Sequence, residues 1–223
     1  MPQKITWDEI GERLYETGVK QAVLYPMSDE GTYDKGVAWN GVTAINENPS
    51  GAETTDLYAN DSLYASLQSA EKYGCTIEAY TYPDEFEECD GAKEIAPGVT
   101  IGQQARKSFG LSYRTTIGND VKGADYGYKL HLMYGGKATP SEKSHGTINE
   151  SPEAATLSWE VNTTPVNVDG FKPTSKLTID STKVGAEKMA AIEKILYGSN
   201  EADARLPLPA EVAEILKSEV VAG

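Results

Sequence analysis

The side chains that carry most protein chemistry are scarce in this chain: two histidines, His131 and His145, and two cysteines, Cys75 and Cys89. His131 falls on the polar side of an alternating segment and His145 in a polar loop, and neither has a partner at metal-ligand spacing. The cysteines have no neighbouring histidine and no C-x-x-C spacing, so a β-core thiol and a helix-end thiol are expected rather than a nucleophile. Nucleophile-elbow, Walker and dinucleotide-binding patterns do not occur. Gly98-Val-Thr-Ile-Gly102 has two glycines but no lysine, and reads as a turn leading into a strand. The acidic run Asp84, Glu85, Glu87, Glu88, Asp90 lacks the alternating oxygen ligands, central glycine and terminal glutamate of a calcium loop. A solvated helix face accounts for it. Paired carboxylates for glycoside hydrolysis carry almost no weight as a signal, because 34 Asp and Glu guarantee that some lie close together. The expectation is a protein that is not an enzyme, with no catalytic, cofactor-binding or metal-binding residues and no cofactor.

The elements that would have to position any site are mostly strands. Cys75, Ile77, Ala79 and Thr81 alternate with Thr76, Glu78, Tyr80 and Tyr82, and the same period of two runs through 109–117, 128–134, 155–161 and 176–180. Each stretch reads as a half-buried strand with one apolar and one more polar face, which favours antiparallel pairing. Tyr128, Tyr134 and Trp159 fall on apolar faces, so core and interface packing explains them better than a sugar-binding platform. Asn60-Asp61 between two short apolar runs predicts a tight hairpin turn. At the N-terminus, Thr6-Trp7-Asp8-Glu9 has the form of a capping box, Trp7, Ile10 and Leu14 share a helical face, and Gly18 could end the helix. A helical interruption is expected over Pro83–Asp90, with Gly91 following. Ala186–Tyr197 is the clearest helix, with an apolar stripe of Met189, Ile192, Ile195 and Leu196 and Gly198 as its cap. A short final helix is expected over about 209–218. The segments Asn46–Thr55, Gly118–Asp125, Gly135–Glu153 and Val166–Lys172 read as loops. Without repeats or a compositional break, residues 1–223 are expected to form one domain.

Twenty Lys and Arg against 34 Asp and Glu leave a net charge of −14. That balance excludes a protein that grips nucleic acid, because phosphate binding needs clustered cations. No apolar run approaches a membrane span, and the N-terminal residues lack the apolar stretch of a signal peptide. An intracellular, soluble, reduced protein is expected. Tyrosine outnumbers phenylalanine 13 to 3, alongside 21 glycines and 11 prolines. Rings with a polar tip suit half-buried sheets and wet subunit contacts, and the glycines and prolines imply many turns.

Several stretches recur as an ordered set: Gly36-Val-Ala-Trp-Asn-Gly41, Asn48-Pro-Ser-Gly-Ala-Glu53, Leu57-Tyr-Ala-Asn-Asp61 and Ile77-Glu-Ala-Tyr-Thr-Tyr-Pro83. Gly102-Gln-Gln104, Tyr113-Arg-Thr115, Gly127-Tyr-Lys-Leu-His-Leu132 and Leu157-Ser-Trp-Glu-Val161 follow. The series, from about Tyr15 to Pro209, resembles the major tail proteins, or tail tube proteins, of long-tailed bacteriophages and prophages of Gram-positive bacteria. The resemblance implies an antiparallel β-sandwich or rolled barrel with a flanking α-helix and long loops. It implies homohexameric rings that stack into a hollow tube conducting viral DNA into the host, in the tail of a virion assembled in the bacterial cytoplasm. A non-contractile tail is favoured. The implied partners are other copies of the chain, a tape-measure protein, a tail terminator and a distal tail protein, with DNA passing through the lumen unbound and no membrane contact. The family's bridging loops would fall at Asn46–Thr55 and Gly135–Glu153. The alternative from another class is an intracellular β-sandwich binding module for a carbohydrate or a protein.

Overall fold

Alternating apolar residues dictate strands through most of the chain, and the computed structural model, which describes residues 4–147 and 154–217, is built mainly from them. The strands are β1 (Leu14–Pro26), β2 (Val37–Ala38), β3 (Val42–Glu47), β4 (Thr54–Ala59), β5 (Ser62–Gln68) and β6 (Gly74–Ala79). They continue with β7 (Lys93–Ala96), β8 (Val99–Ile101), β9 (Phe109–Asn119), β10 (Gly123–Ala138), β11 (Leu157–Thr163) and β12 (Lys176–Asp180). Two helices close the described chain, α1 (Ala186–Tyr197) and α2 (Pro209–Lys217). Eight strands form one antiparallel sheet in the order β2-β1-β9-β10-β11-β6-β3, with β12 also on β10; β4–β5 and β7–β8 are separate hairpins. The fold is mainly β and antiparallel, with flanking helix, as the alternation predicts.

The sheet rolls over at β10, whose 16 residues serve two layers. Lys129–Met133 pair with β12, whereas Gly136–Ala138 pair with β11. The corner is Gly135, at φ +59°, a conformation that a side chain disfavours. Its N–H donates to the Tyr33 hydroxyl at 2.9 Å and its carbonyl accepts from Thr164 N at 2.9 Å. A Cβ there would stand 2.2 Å from the Thr164 carbonyl oxygen, so close approach and backbone angle both require glycine.

Rolling creates a core on each side of β1, β9 and β10. Between the sheet layers lie Leu24, Phe109, Leu111 and Met133 against Cys75, Ile77, Trp159 and Val161. The other face carries Val23, Tyr25, Leu130, Leu132, Tyr134 and Ile179 against Met189, Ile192 and Leu196 of α1 and Val212 of α2. Here the reading of half-buried strands needs correction: β9 and the middle of β10 are buried on both faces. Helix α1 covers the side that the pattern marked as polar on β9 and as apolar on β10, and a hydroxyl enclosed there is satisfied internally. Ser112, for example, is fully buried and hydrogen-bonds the Tyr25 hydroxyl at 3.1 Å.

The tyrosine excess now has a physical reason. Tyr25 Oη donates to the Leu196 carbonyl at 2.7 Å and Tyr134 Oη to the Pro207 carbonyl at 2.9 Å, tying the helical layer to the sheet. Tyr113 Oη donates to Glu47 at 2.9 Å, tying one sheet layer to the other. Phenylalanine would fill the same space and strand those acceptors.

Local expectations fare differently at the two ends. Helix α1 has the predicted bounds, and Gly198 follows it at φ +78°. Helix α2 starts at Pro209 and runs to Lys217; Ser218 lies outside the described residues. The N-terminal helix does not form. Asp8 and Gly11 turn through positive φ, and Leu14 starts a strand that pairs residue by residue with β9 from Leu14↔Asn119. A capping box stabilises a helix by about 1 kcal/mol, and a ladder of nine residue pairs against a buried strand outweighs it. Gly18, read as a helix end, sits in a bulge within β1. Over Pro83–Asp90 a 3₁₀ turn, Asp84–Phe86, is followed by further turns that bury Phe86 and Cys89.

Of the predicted loops, Val166–Lys172 is irregular and Gly118–Asp125 spans the β9–β10 turn. Asn46–Thr55 is shorter than expected, since Asn46 and Glu47 end β3 and Thr54 and Thr55 begin β4. Gly135–Ala138 belong to β10, and the Ile148–Glu153 part of that loop lies outside the described residues.

Candidate assembly interface

The residues that first suggested chemistry are dispersed and sequestered. Cys75 and Cys89 are buried 0–1% exposed, and burial pushes each thiol up to about 12, so neither forms a thiolate near neutrality. His145 is exposed in its loop. In the acidic run, Asp84 and Glu85 face solvent, whereas Asp90 is held at 3.0 Å by Arg106 and also by Lys143. The solvated-face reading therefore fails for Asp90, which tethers segment 139–147 to the 3₁₀ turn. Among the described residues no group of three or more His, Cys, Asp or Glu is placed to hold a metal ion.

His131 is buried at 6% exposure and stacks on Tyr113 with ring centroids 4.6 Å apart. Its Nε2 lies 2.9 Å from Thr115 Oγ1 and 3.4 Å from Glu16, and Nδ1 lies 3.4 Å from Thr178 Oγ1. Burial, then Lys176, lowers its pKa below 6.5. Burial opposes the ionisation of Glu16 and Glu47, but hydrogen bonds from Lys129 and Thr115, and from Lys176 and Tyr113, hold both carboxyls below their usual range. The unfolded chain therefore binds more protons than the folded one at each of the three sites. Stability is expected to fall as pH drops through 6.5, where unfolded histidine charges first, and again below about 4.5 as the carboxylates protonate. Urea titrations of wild type and His131→Gln from pH 8 to 5 check this. An unchanged slope between pH 7 and 5.5 in the variant contradicts the assignment, with exposed His145 common to both proteins.

What the fold leaves uncovered is apolar. Hairpin β4–β5 turns at Asn60 and Asp61, both at positive φ, as the local pattern predicts for a primed turn. Among the described residues its strands pair only with each other, and Leu57, Tyr58, Leu63, Tyr64 and Leu67 are all exposed, Tyr58 by 71% and Tyr64 by 76%. Hairpin β7–β8 likewise exposes Ile95, Val99 and Ile101. The N-terminal segment, misread as a helix, is a third such surface: Trp7 is 77% and Ile10 82% exposed, with Val121 also exposed. It is anchored, since Gly11 N donates to Asp120 at 3.0 Å and Asn119 Nδ2 donates to the Gly11 carbonyl at 3.0 Å. Scattered apolar residues are ordinary on a surface; clusters on extended hairpins mark interaction sites.

The sheet also ends in open edges. Strand β2 covers β1 only at Val23 and Leu24, and among the described residues no strand pairs the outer side of β12 or β3. Bulges at Gly18 and Gln21 distort the free part of β1, and Lys176 and Asp180 flank short β12, which guards both edges against indiscriminate strand addition.

A cleft of about 450 Å³ lies between the bulged part of β1, β2 and the end of α1. Trp39 in its wall is buried, with its indole N–H donating to the Thr81 carbonyl at 2.9 Å, so this ring serves the core rather than a sugar. None of the helices among the described residues is long and apolar enough to cross a membrane. No protein-family model matches the chain, and no curated protein matches it.

Proposed function

We propose that this chain is the structural subunit of a phage-type tail tube. Copies join into homohexameric rings, and rings stack into a hollow tube that conducts viral DNA, within a virion tail assembled in the bacterial cytoplasm. Tape-measure, terminator and distal tail proteins would be met within the tube or at its ends. The ordered motif series and the rolled antiparallel sandwich with its flanking helix support this reading. The observation that carries it is hairpin β4–β5, whose large apolar residues stand exposed and join neither core cluster among the described residues. An isolated two-stranded hairpin is marginal in water, so another chain is the natural cover. Open edges on different sides of one sheet suit a head-to-tail contact, which closes into a ring when its rotation divides a full turn.

The charge of −14 fits the same role. Basic groups on a tube wall would gain affinity for DNA by counterion release and act as a brake. An acidic wall repels phosphate over about 8–10 Å at physiological salt. Light scattering after size exclusion, with electron micrographs of concentrated protein, tests the proposal. Hexamers and six-fold tubes are the expected result; a monomer at every concentration, or rings of another symmetry, would reject it.

A further inference from the structure

We infer that hairpin β4–β5 is gripped on both faces at once, each face by a different copy of this chain. The inference rests on the self-assembly reading above and goes further, to the number of chains that meet at the hairpin. Leu57 pairs with Ala65 and Thr55 with Leu67, so Leu57 and Leu67 share one face. Tyr58 and Tyr64 each sit one residue away along their strands and point to the other face. All four are exposed. Leu63, paired with Tyr58, joins the tyrosine face, whose base carries Asp56 and Ser66, so both faces keep large apolar side chains and laying either one on a surface leaves those of the other in water.

Area leads to the same place. The hairpin strands contain six and seven residues, so one face presents only half of them, against the roughly 20–30 residues that a stable interface uses on each side. Occupying both faces doubles the contribution. Charge narrows the occupant, because residues 48–71 contain no Lys or Arg and carry Glu53, Asp56, Asp61 and Glu71. An anionic membrane or a nucleic acid would be repelled by such a segment. The chain itself supplies two further exposed apolar surfaces, the anchored N-terminal segment around Trp7 and Ile10 and hairpin β7–β8 around Ile95. Two unlike faces and two unlike receptors on one chain make a heterologous contact, which grows into rings or stacks and does not stop at a dimer.

The test follows wild-type protein from dilute monomer to assembled material by hydroxyl-radical footprinting with mass spectrometry. All four side chains should become protected together. Protection of Leu57 and Leu67 without Tyr58 and Tyr64, or the reverse, overturns the two-sided grip and leaves the assembly reading standing. Protein that stays monomeric throughout overturns both. In parallel, Leu57→Ser/Leu67→Ser and Tyr58→Ser/Tyr64→Ser should each raise the half-assembly concentration by about tenfold or more, with monomer circular dichroism unchanged. Normal assembly by either pair refutes the grip on that face.

Discussion

Trp159→Ala is expected to destabilise the monomer by about 3–5 kcal/mol, the range for removing a large aromatic from a core that collapses only partly. Trp159 is fully buried between the sheet layers. Its ring meets Tyr82 at 5.6 Å and 87°, Phe86 at 5.2 Å and 80°, and Trp39 at 5.7 Å and 66°. Edge-on pairs of this kind add about 0.5–1.5 kcal/mol each beyond burial. Its buried indole N–H has no hydrogen-bond partner among the described residues, so packing of the ring, not a polar anchor, holds it in place. Trp159→Phe keeps much of the volume and two-sided packing and should cost less than Trp159→Ala. Urea unfolding followed by far-ultraviolet dichroism measures both. A loss below about 1 kcal/mol for the alanine variant is inconsistent with a continuous aromatic core. Because a small domain has only about 5–15 kcal/mol in total, the alanine variant should also fail to assemble, through loss of folded subunit.

Gly135→Ala is expected to cost about 3–4 kcal/mol, although it adds one methyl group. The left-handed angle contributes about 1–2 kcal/mol of that for any L side chain. The remainder comes from the Thr164 carbonyl, 2.2 Å from the new Cβ, which must move and takes with it the bond from Thr164 N to the Gly135 carbonyl. Gly170→Ala is the matched control, with φ +78° and nothing within 4 Å of its Cβ position. It should show the strain alone, about 1 kcal/mol. Equal losses at the two glycines would mean that the β10 corner has no steric requirement. If the difference holds, the corner that lets one strand serve two sheet layers is specified by a single missing methyl.

Where local rules are strong, the chain could be read directly. Asn60 and Asp61 form their turn because side chains that tolerate positive φ are rare and positional. Helix α1 forms where Met189, Ile192 and Leu196 repeat at helical spacing with a glycine beyond. The period of two at Cys75, Ile77 and Ala79 gave a strand whose partners on β11 and β3 were not predictable, since register is a long-range choice. Trp7, Ile10 and Leu14 misled because an apolar stripe at helical spacing has meaning only if a surface waits to receive it, and none does among the described residues. That the hairpins stand exposed was invisible for the same reason. Leu57 and Leu63 look like any strand residues until the rest of the fold packs without them.

The amino-acid sequence by itself determined which side chains share a strand face, where α1 and the β4–β5 turn lie, and that the surface is strongly acidic. These follow from nearest-neighbour geometry and from counting charges. Tertiary structure alone decided which faces are covered. It put α1 over the polar side of β9, spent tyrosine hydroxyls on joining layers, turned the N-terminal stripe outward and left two apolar hairpins exposed. Periodicity records the direction in which a side chain points, whereas burial depends on what distant segments, or other copies of the chain, bring to meet it.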